Sequence, residues 1–304
     1  MSQAVSPAAF PAPAADPPGS EPPLLVLEPR RGWVPLDVAE IWGFRDLLWT
    51  LAGRDIKIRY KQTVLGVAWV VLQPLVGAGI LTFVFGLLGD MPRDEGVPYF
   101  ALSFAGMLGW NAFSQTLLKS SDCLVGNAAL VSKVYFPRVI LPLSTMVSTV
   151  LDFAVGLGMM AVILLVFTIA PGWPLLLLPV WLAMLLLVAL GVGLWACSLM
   201  VSYRDVRYVL PVAVNFMLFG SPVAYSLAAL DTRLGSLGSW AGVAEFVYML
   251  NPVAAVLEAF RWSLLGGSAP PVGWLIYSGG FAAAAFFAGA LTFKRMEKRF
   301  ADVI

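Results

Sequence analysis

Chemistry at a protein site needs bases, nucleophiles or metal ligands, and this sequence is short of all three. It contains no histidine, which removes the side chain that titrates nearest neutrality and the commonest metal ligand. Its two cysteines, Cys123 and Cys197, sit among small and apolar residues. They read as buried small hydrophobes and offer no disulfide or metal framework. No G-x-x-x-x-G-K-[ST] phosphate cradle occurs. Asp152 is the only acid inside a strongly apolar segment. A carboxylate there marks a functional site by default, a proton relay being one option. With no cation visible in another apolar segment, a hydrogen-bonded packing residue is the expected role. Asp90, Asp94 and Glu95 form one small acidic group, expected to be solvated in a loop. Catalysis therefore has little to stand on, and the remaining features concern charge placement and surfaces.

The strongest of these is Arg54-Asp55-Ile56-Lys57-Ile58-Arg59-Tyr60-Lys61, which runs into Val64–Leu88 without a further charge. Each cation would cost roughly 2.5–3.5 kcal/mol at a bilayer centre. The apolar run that follows is long enough for a hydrocarbon core about 30 Å thick. This junction fixes where the chain enters a membrane and from which side. Sixty percent apolar residues, 12% charged and a mean hydropathy of +0.84 exclude a soluble domain. A net charge of +1 argues against a nucleic acid partner. The expected class is an all-α membrane protein in contact with lipid.

Six strong apolar segments occur at about 64–88, 98–118, 140–168, 174–201, 208–229 and 272–293, with a weaker one near 240–260 that holds Glu245, Glu258 and Asn251-Pro252. With six spans, 16 of the 19 Lys and Arg fall on one side, leaving Arg93, Arg233 and Arg261 on the other. The positive-inside rule then makes both termini cytoplasmic. A seventh span would move the four basic residues of the C-terminal tail outside. The expected organisation is a disordered Pro- and Ala-rich leader (1–33), an amphipathic interface helix (34–62), a six-span domain (63–296) and a cytoplasmic tail (297–304). The leader has no apolar stretch that would make it a signal peptide.

Within the interface helix Phe44, Leu47, Leu48, Leu51 and Ala52 share a face, and Trp42 and Trp49 suit a headgroup layer. The period-two alternation from Ile56 to Lys61 fits a helix less well, and a basic anchor that only fixes topology is the plainer reading. The loop 119–139 carries Leu130, Lys133, Val134, Tyr135, Phe136 and Arg138. Apolar and aromatic residues rimmed by cations suit a protein-docking surface or a helix lying on the membrane. The region 230–271 is expected to be external. Either it dips back as re-entrant helices turning near Asn251-Pro252 or it forms an external amphipathic helix. Glu258 and Arg261 are spaced to pair on one helix face.

The order of these features resembles the membrane subunit of bacterial ABC exporters for polysaccharides, the O-antigen, capsule and teichoic-acid transporters. The resemblance rests on Leu65-Gly66-Val67-Ala68-Trp69, Gln73-Pro74, Leu130 through Arg138, Ser221-Pro222-Val223-Ala224-Tyr225 and Leu250-Asn251-Pro252 through Glu258-Ala259-Phe260-Arg261. It covers about residues 36–300. It implies an inner-membrane homodimer bound to two copies of a separate ATPase, with ATP and Mg bound there and no cofactor in this chain. The loop at Leu130, Lys133, Val134, Tyr135, Phe136 and Arg138 would couple to that ATPase. Arg54, Lys57, Arg59 and Lys61 would attract the diphosphate of a polyprenyl-linked glycan. Aromatic residues, among them Trp69, Phe83, Phe104, Trp110, Phe216 and Tyr225, would line an export path. Tyr248, Asn251, Glu258 and Arg261 would form an external gate. A permease for drugs or small lipids, a membrane-embedded transferase on lipid-linked sugars and a proton-coupled carrier are the competing readings.

Overall fold

The computed structural model describes residues 38–61, 68–89, 97–227, 229, 235 and 240–303. The leader 1–33, the Leu65-Gly66-Val67 portion of the first apolar run, the acids Asp90, Asp94 and Glu95, Arg93 and Arg233 lie outside the described residues. So do the side chains of Arg59, Lys298 and Arg299. Among the described residues all regular structure is helical.

Two helices precede the first apolar run: α1 (Val38–Gly43) and α2 (Arg45–Lys61). α2 buries Leu51 and Ala52, with Phe44, Leu47 and Leu48 packed on the same cluster, so the apolar face expected of the interface helix is the one used. The alternation from Ile56 to Lys61 does not break the helix. Trp42 and Trp49 stay exposed.

α3 (Ala68–Leu81) carries Pro74 in its interior and continues as a π-helical stretch, Thr82–Leu88. Gly89 N–H bonds the carbonyl of Val84 at 2.9 Å, the wide i→i+5 closure of that geometry. Then come α4 (Tyr99–Gly126), the single short turn α5 (Ala128–Lys133), α6 (Ile140–Val166), α7 (Leu178–Ser202), α8 (Val206–Phe219), α9 (Ala241–Met249), α10 (Pro252–Leu265) and α11 (Val272–Val303). Pro252 sits at the first position of α10, where its missing N–H costs nothing.

Among the described residues four stretches are long and apolar enough to cross a membrane: Ala68–Leu88, Ile140–Val166, Trp173–Ser202 and Val272–Glu297. A fifth arises if α9 and α10, bent by 87°, count as one. The two expected spans that fall outside this set have visible reasons. α4 has 28 residues, but Asn111, Gln115 and Lys119 lower its apolarity. α8 has 14 residues, which rise only about 21 Å as an α-helix.

α4 is the centre of the fold. α3, α6, α7 and α10 pack around it, burying Phe104, Trp110 and Phe113 against Met160, Leu185, Leu257 and Phe260. A second cluster gathers Leu51, Leu124, Phe136, Ile140, Leu194, Phe293 and Phe300 at the end of the bundle where Arg54, Lys133, Arg138 and Lys294 lie, here termed the basic end. Without a hydrophobic force between helices in lipid, close backbone approach supplies adhesion. α7 and α11 meet through Gly191 and Gly289, where a Cβ on either residue would run into the other helix's main chain. Gly289→Ala should therefore overpack the crossing and cost about 1–3 kcal/mol. Gly158→Ala, with open space around it, should be neutral or slightly stabilising. Thermal unfolding of the detergent-purified chain distinguishes them.

Candidate functional site

The positions of α4 that escape burial between Met107 and Asp122 are Met107, Asn111, Gln115, Leu118, Lys119 and Asp122. Spaced three and four apart, they form one stripe. A stripe facing hydrocarbon is apolar, whereas this one carries two amides, a cation and a carboxylate. Lys119 Nζ lies 3.2 Å from Asp152 Oδ2 on α6 and 3.3 Å from Thr149 Oγ1. This corrects two expectations: Lys119 belongs to α4 and not to a loop, and Asp152 has a cationic partner. α4 runs two turns beyond the boundary expected at 118, which carries Lys119 alongside α6.

Two cavities share Asp152 of this pair. One of about 300 Å³ is lined by Trp69, Gln73 and Pro74 of α3, Asn111 and Gln115 of α4, and Thr149, Asp152 and Phe153 of α6. The other, about 490 Å³, opens toward the basic end between Asp55, Lys119, Asp122, Asn127, Asp152 and Arg207. Arg207 pairs with Asp122 at 3.2 Å. Arg54 donates to Asp55 at 2.9 Å and to Asn127 Oδ1 at 2.8 Å, tying α2 to the end of α4. Lys57 and Lys61 remain exposed; Arg59 lies on α2 between them.

After α5 the chain turns back on itself. Val134 and Tyr135 are 50% and 70% exposed, while Phe136 is buried, against the expectation that it would be displayed with them. The reason is the length of α11. Its last turns bring Phe293 and Phe300 beneath the loop. The Arg138 backbone N–H donates to Glu297 Oε1 at 3.1 Å, its guanidinium donates to the Glu297 carbonyl, and its charge sits 5.9 Å from the Phe300 ring. Leu130 is half-buried and Lys133 exposed. The result is a two-residue apolar hook, Val134–Tyr135, on a fixed base.

At the opposite end the irregular segment 220–226 is held by side chains from three helices. Asn251 caps α10 by accepting from Val253 N–H at 3.1 Å and donates to Ser221 Oγ at 2.8 Å and to the Gly220 carbonyl. Arg261, buried, donates to the Tyr225 carbonyl at 2.6 Å and pairs with Glu258. Tyr248 OH donates to Tyr225 OH at 3.2 Å, and Tyr99 OH donates to the Ala224 carbonyl. Gly106 on α4 leaves room only for the main chain of Val223. Tyr248, Asn251, Glu258 and Arg261 are thus brought together, with Tyr99, Ser221 and Gly106 as partners; of these, Gly106 is the one that sequence reasoning did not single out.

The expected aromatic path does not assemble. Trp69, Phe83 and Phe216 are exposed, but Phe104 and Trp110 lie inside the core and Tyr225 is locked in the 220–226 segment. Aromatic residues on α4 fill space between helices together with its small hydroxyl residues Ser103, Ser114, Thr116, Ser120 and Ser121, while its amides and charged side chains lie on the less buried stripe. Cys123 and Cys197, read from the sequence as buried small hydrophobes, are both buried, with sulfurs 4.0 Å apart and no disulfide between them. No group of three or more metal-ligating side chains occurs among the described residues.

Residues 46–265 match the family model of the ABC-2 type transporter. The chain is 24% identical over 268 residues to the O-antigen export system permease protein RfbA of Myxococcus xanthus, covering 88% of this chain and 98% of that protein. A protein of the same name from Klebsiella pneumoniae is 24% identical over 273 residues, with 85% and 95% covered. The polysialic acid transport protein KpsM of Escherichia coli is 22% identical over 253 residues, with 81% and 91% covered.

The Lys119–Asp152 pair has side chains 20% and 14% exposed, so removing one partner strands the other. Lys119→Met or Asp152→Leu alone should cost about 3–5 kcal/mol, and the double variant should recover most of that loss. Unfolding of the four proteins in one detergent measures the coupling.

Proposed function

Because the chain belongs to the ABC-2 type transporter family, we propose that it is the membrane permease subunit of an ATP-driven exporter of a lipid-linked polysaccharide. The observation that carries this reading is the near end-to-end similarity to O-antigen export permeases. The hook at the basic end supports it. The subunit works as a homodimer with two copies of a separate ATPase that binds ATP and Mg. It sits in the inner membrane of a bacterium and moves its cargo outward. Six spans are supplied by α3 with its π-helical extension, α4, α6, α7, α8 with the segment after it, and α11. The basic end and both termini face the cytoplasm, and α9 and α10 form a re-entrant pair on the outer side.

Each group of residues then has a task. Val134 and Tyr135, with Lys133 beside them, insert into the ATPase, while Leu130, Phe136 and Arg138 hold them in place. A rigid base matters, because a displacement of the ATPase reaches the bundle only through groups that do not yield. Exposed Lys57 and Lys61, with Arg59, attract the diphosphate of the carrier lipid; Arg54, already bonded to Asp55 and Asn127, positions α2. Tyr248, Asn251, Glu258 and Arg261 set the shape of the outer exit by fixing 220–226.

Tyr135→Asp places a charge in an apolar docking contact; it gives up the one surface bond from Tyr135 OH to Glu40 at 3.4 Å but keeps the base formed by Phe136 and Arg138. Loss of ATPase copurification, with surface glycan reduced roughly tenfold or more, is expected. Phe136→Ala should instead lower stability by about 3–5 kcal/mol. An ATPase that copurifies undiminished with Tyr135→Asp would show that the hook is not the coupling contact. A wild-type chain that restores no surface glycan to a deletion strain would overturn the export reading.

A further inference from the structure

The α3–α4–α6 groove has a chemistry that the aromatic residues do not explain. Gln73, Asn111 and Gln115 point amides into the 300 Å³ cavity. Among the described residues none of these side-chain amides is hydrogen-bonded to another residue. An apolar environment penalises such groups, so a stripe of them on the central helix of a membrane bundle belongs against water or a polar ligand. The groove is also electrically balanced. Asp152 is the single charged side chain on its lining, and Lys119 lies 3.2 Å from it. An anionic headgroup would find no uncommitted cation there, and a metal ion no uncommitted carboxylate. Amides both donate and accept, matching hydroxyl groups, which do the same. Trp69 on the α3 wall offers an apolar ring face of the kind that packs on a sugar.

We infer that this groove binds the neutral hydroxyl groups of the moving glycan, with Gln73, Asn111 and Gln115 as its hydrogen-bonding wall and the Lys119–Asp152 pair closing its side toward the basic end. The inference rests on the polysaccharide reading above and names the surface that the cargo touches. A row of exchangeable hydrogen bonds suits a chain that must slide, since each sugar leaves one amide as it reaches the next. The cavity lies within the size range of small-molecule sites, about 300–1,000 Å³.

The test uses the full chain with its ATPase in cells that make the glycan. Asn111→Leu and Gln115→Leu should each reduce surface glycan about tenfold, with normal amounts of chain and copurified ATPase. Gln115→Asn, which keeps the amide, should retain most export. Val162→Ala, on an exposed face of α6 away from the groove, is the control. A cysteine probe supplies a second readout: Gln115→Cys should react with a charged, water-borne thiosulfonate, whereas the buried Cys123 and Cys197 should not. Wild-type levels of export from both leucine variants would overturn the inference and leave the permease reading intact. Oxidative cross-linking of Gln115→Cys between two copies would also overturn it, since the stripe would then be an interface between subunits. If the wild-type chain itself exports no glycan, the permease reading falls and the inference with it.

Discussion

A polar group needs a partner, and inside a bundle of apolar helices it must find one within the protein. That constraint shapes both ends of the molecule. Segment 220–226 leaves helical geometry, and its freed carbonyls are taken up by Asn251, Arg261 and Tyr99. Asn251 does this while capping α10, so the cap and the segment stand or fall together. At the basic end the last turns of α11 do the equivalent for the loop after α5, through Arg138 and Glu297. Between the two, Lys119 and Asp152 neutralise each other across α4 and α6. The amides of the α4 stripe have no such partner among the described residues.

Much of this was legible in the sequence where a single helix decided the matter. The apolar face of α2, the uncharged run through Leu88 and the break at Asn251-Pro252 all follow from local pattern. The Glu258–Arg261 spacing also led to an observed pair. What escaped reading depends on which helices become neighbours. Lys119 and Asp152 meet only because α4 extends to Gly126, and nothing local marks that extension. Phe136 disappears under α11 because that helix reaches Val303, beyond the apolar run that announced it. Counting aromatics failed for a related reason. In a central helix wrapped by four others the large rings of Phe104 and Trp110 are the filling, and the outward stripe falls to the residues between them.

The positions of the glycines fit the same logic of neighbours. Gly106, Gly191 and Gly289 each face main chain from another element, so they set how near α4 comes to the 220–226 segment and α7 to α11. Close approach there leaves the groove side of α4 as its accessible face. A tight seam on one side of a helix and an open one on the other let a single element serve as both scaffold and wall.

The clamp of Arg138 and Phe136 onto Glu297, Phe293 and Phe300 ties two stretches far apart in the chain into one heritable unit. The hook's outline is written in residues 128–138, but its height and tilt are written in the last turns of α11. Exchanging the loop alone between related proteins would present a transplanted tip on a foreign pedestal. The last turns of the chain's C-terminal helix are therefore part of what shapes this loop.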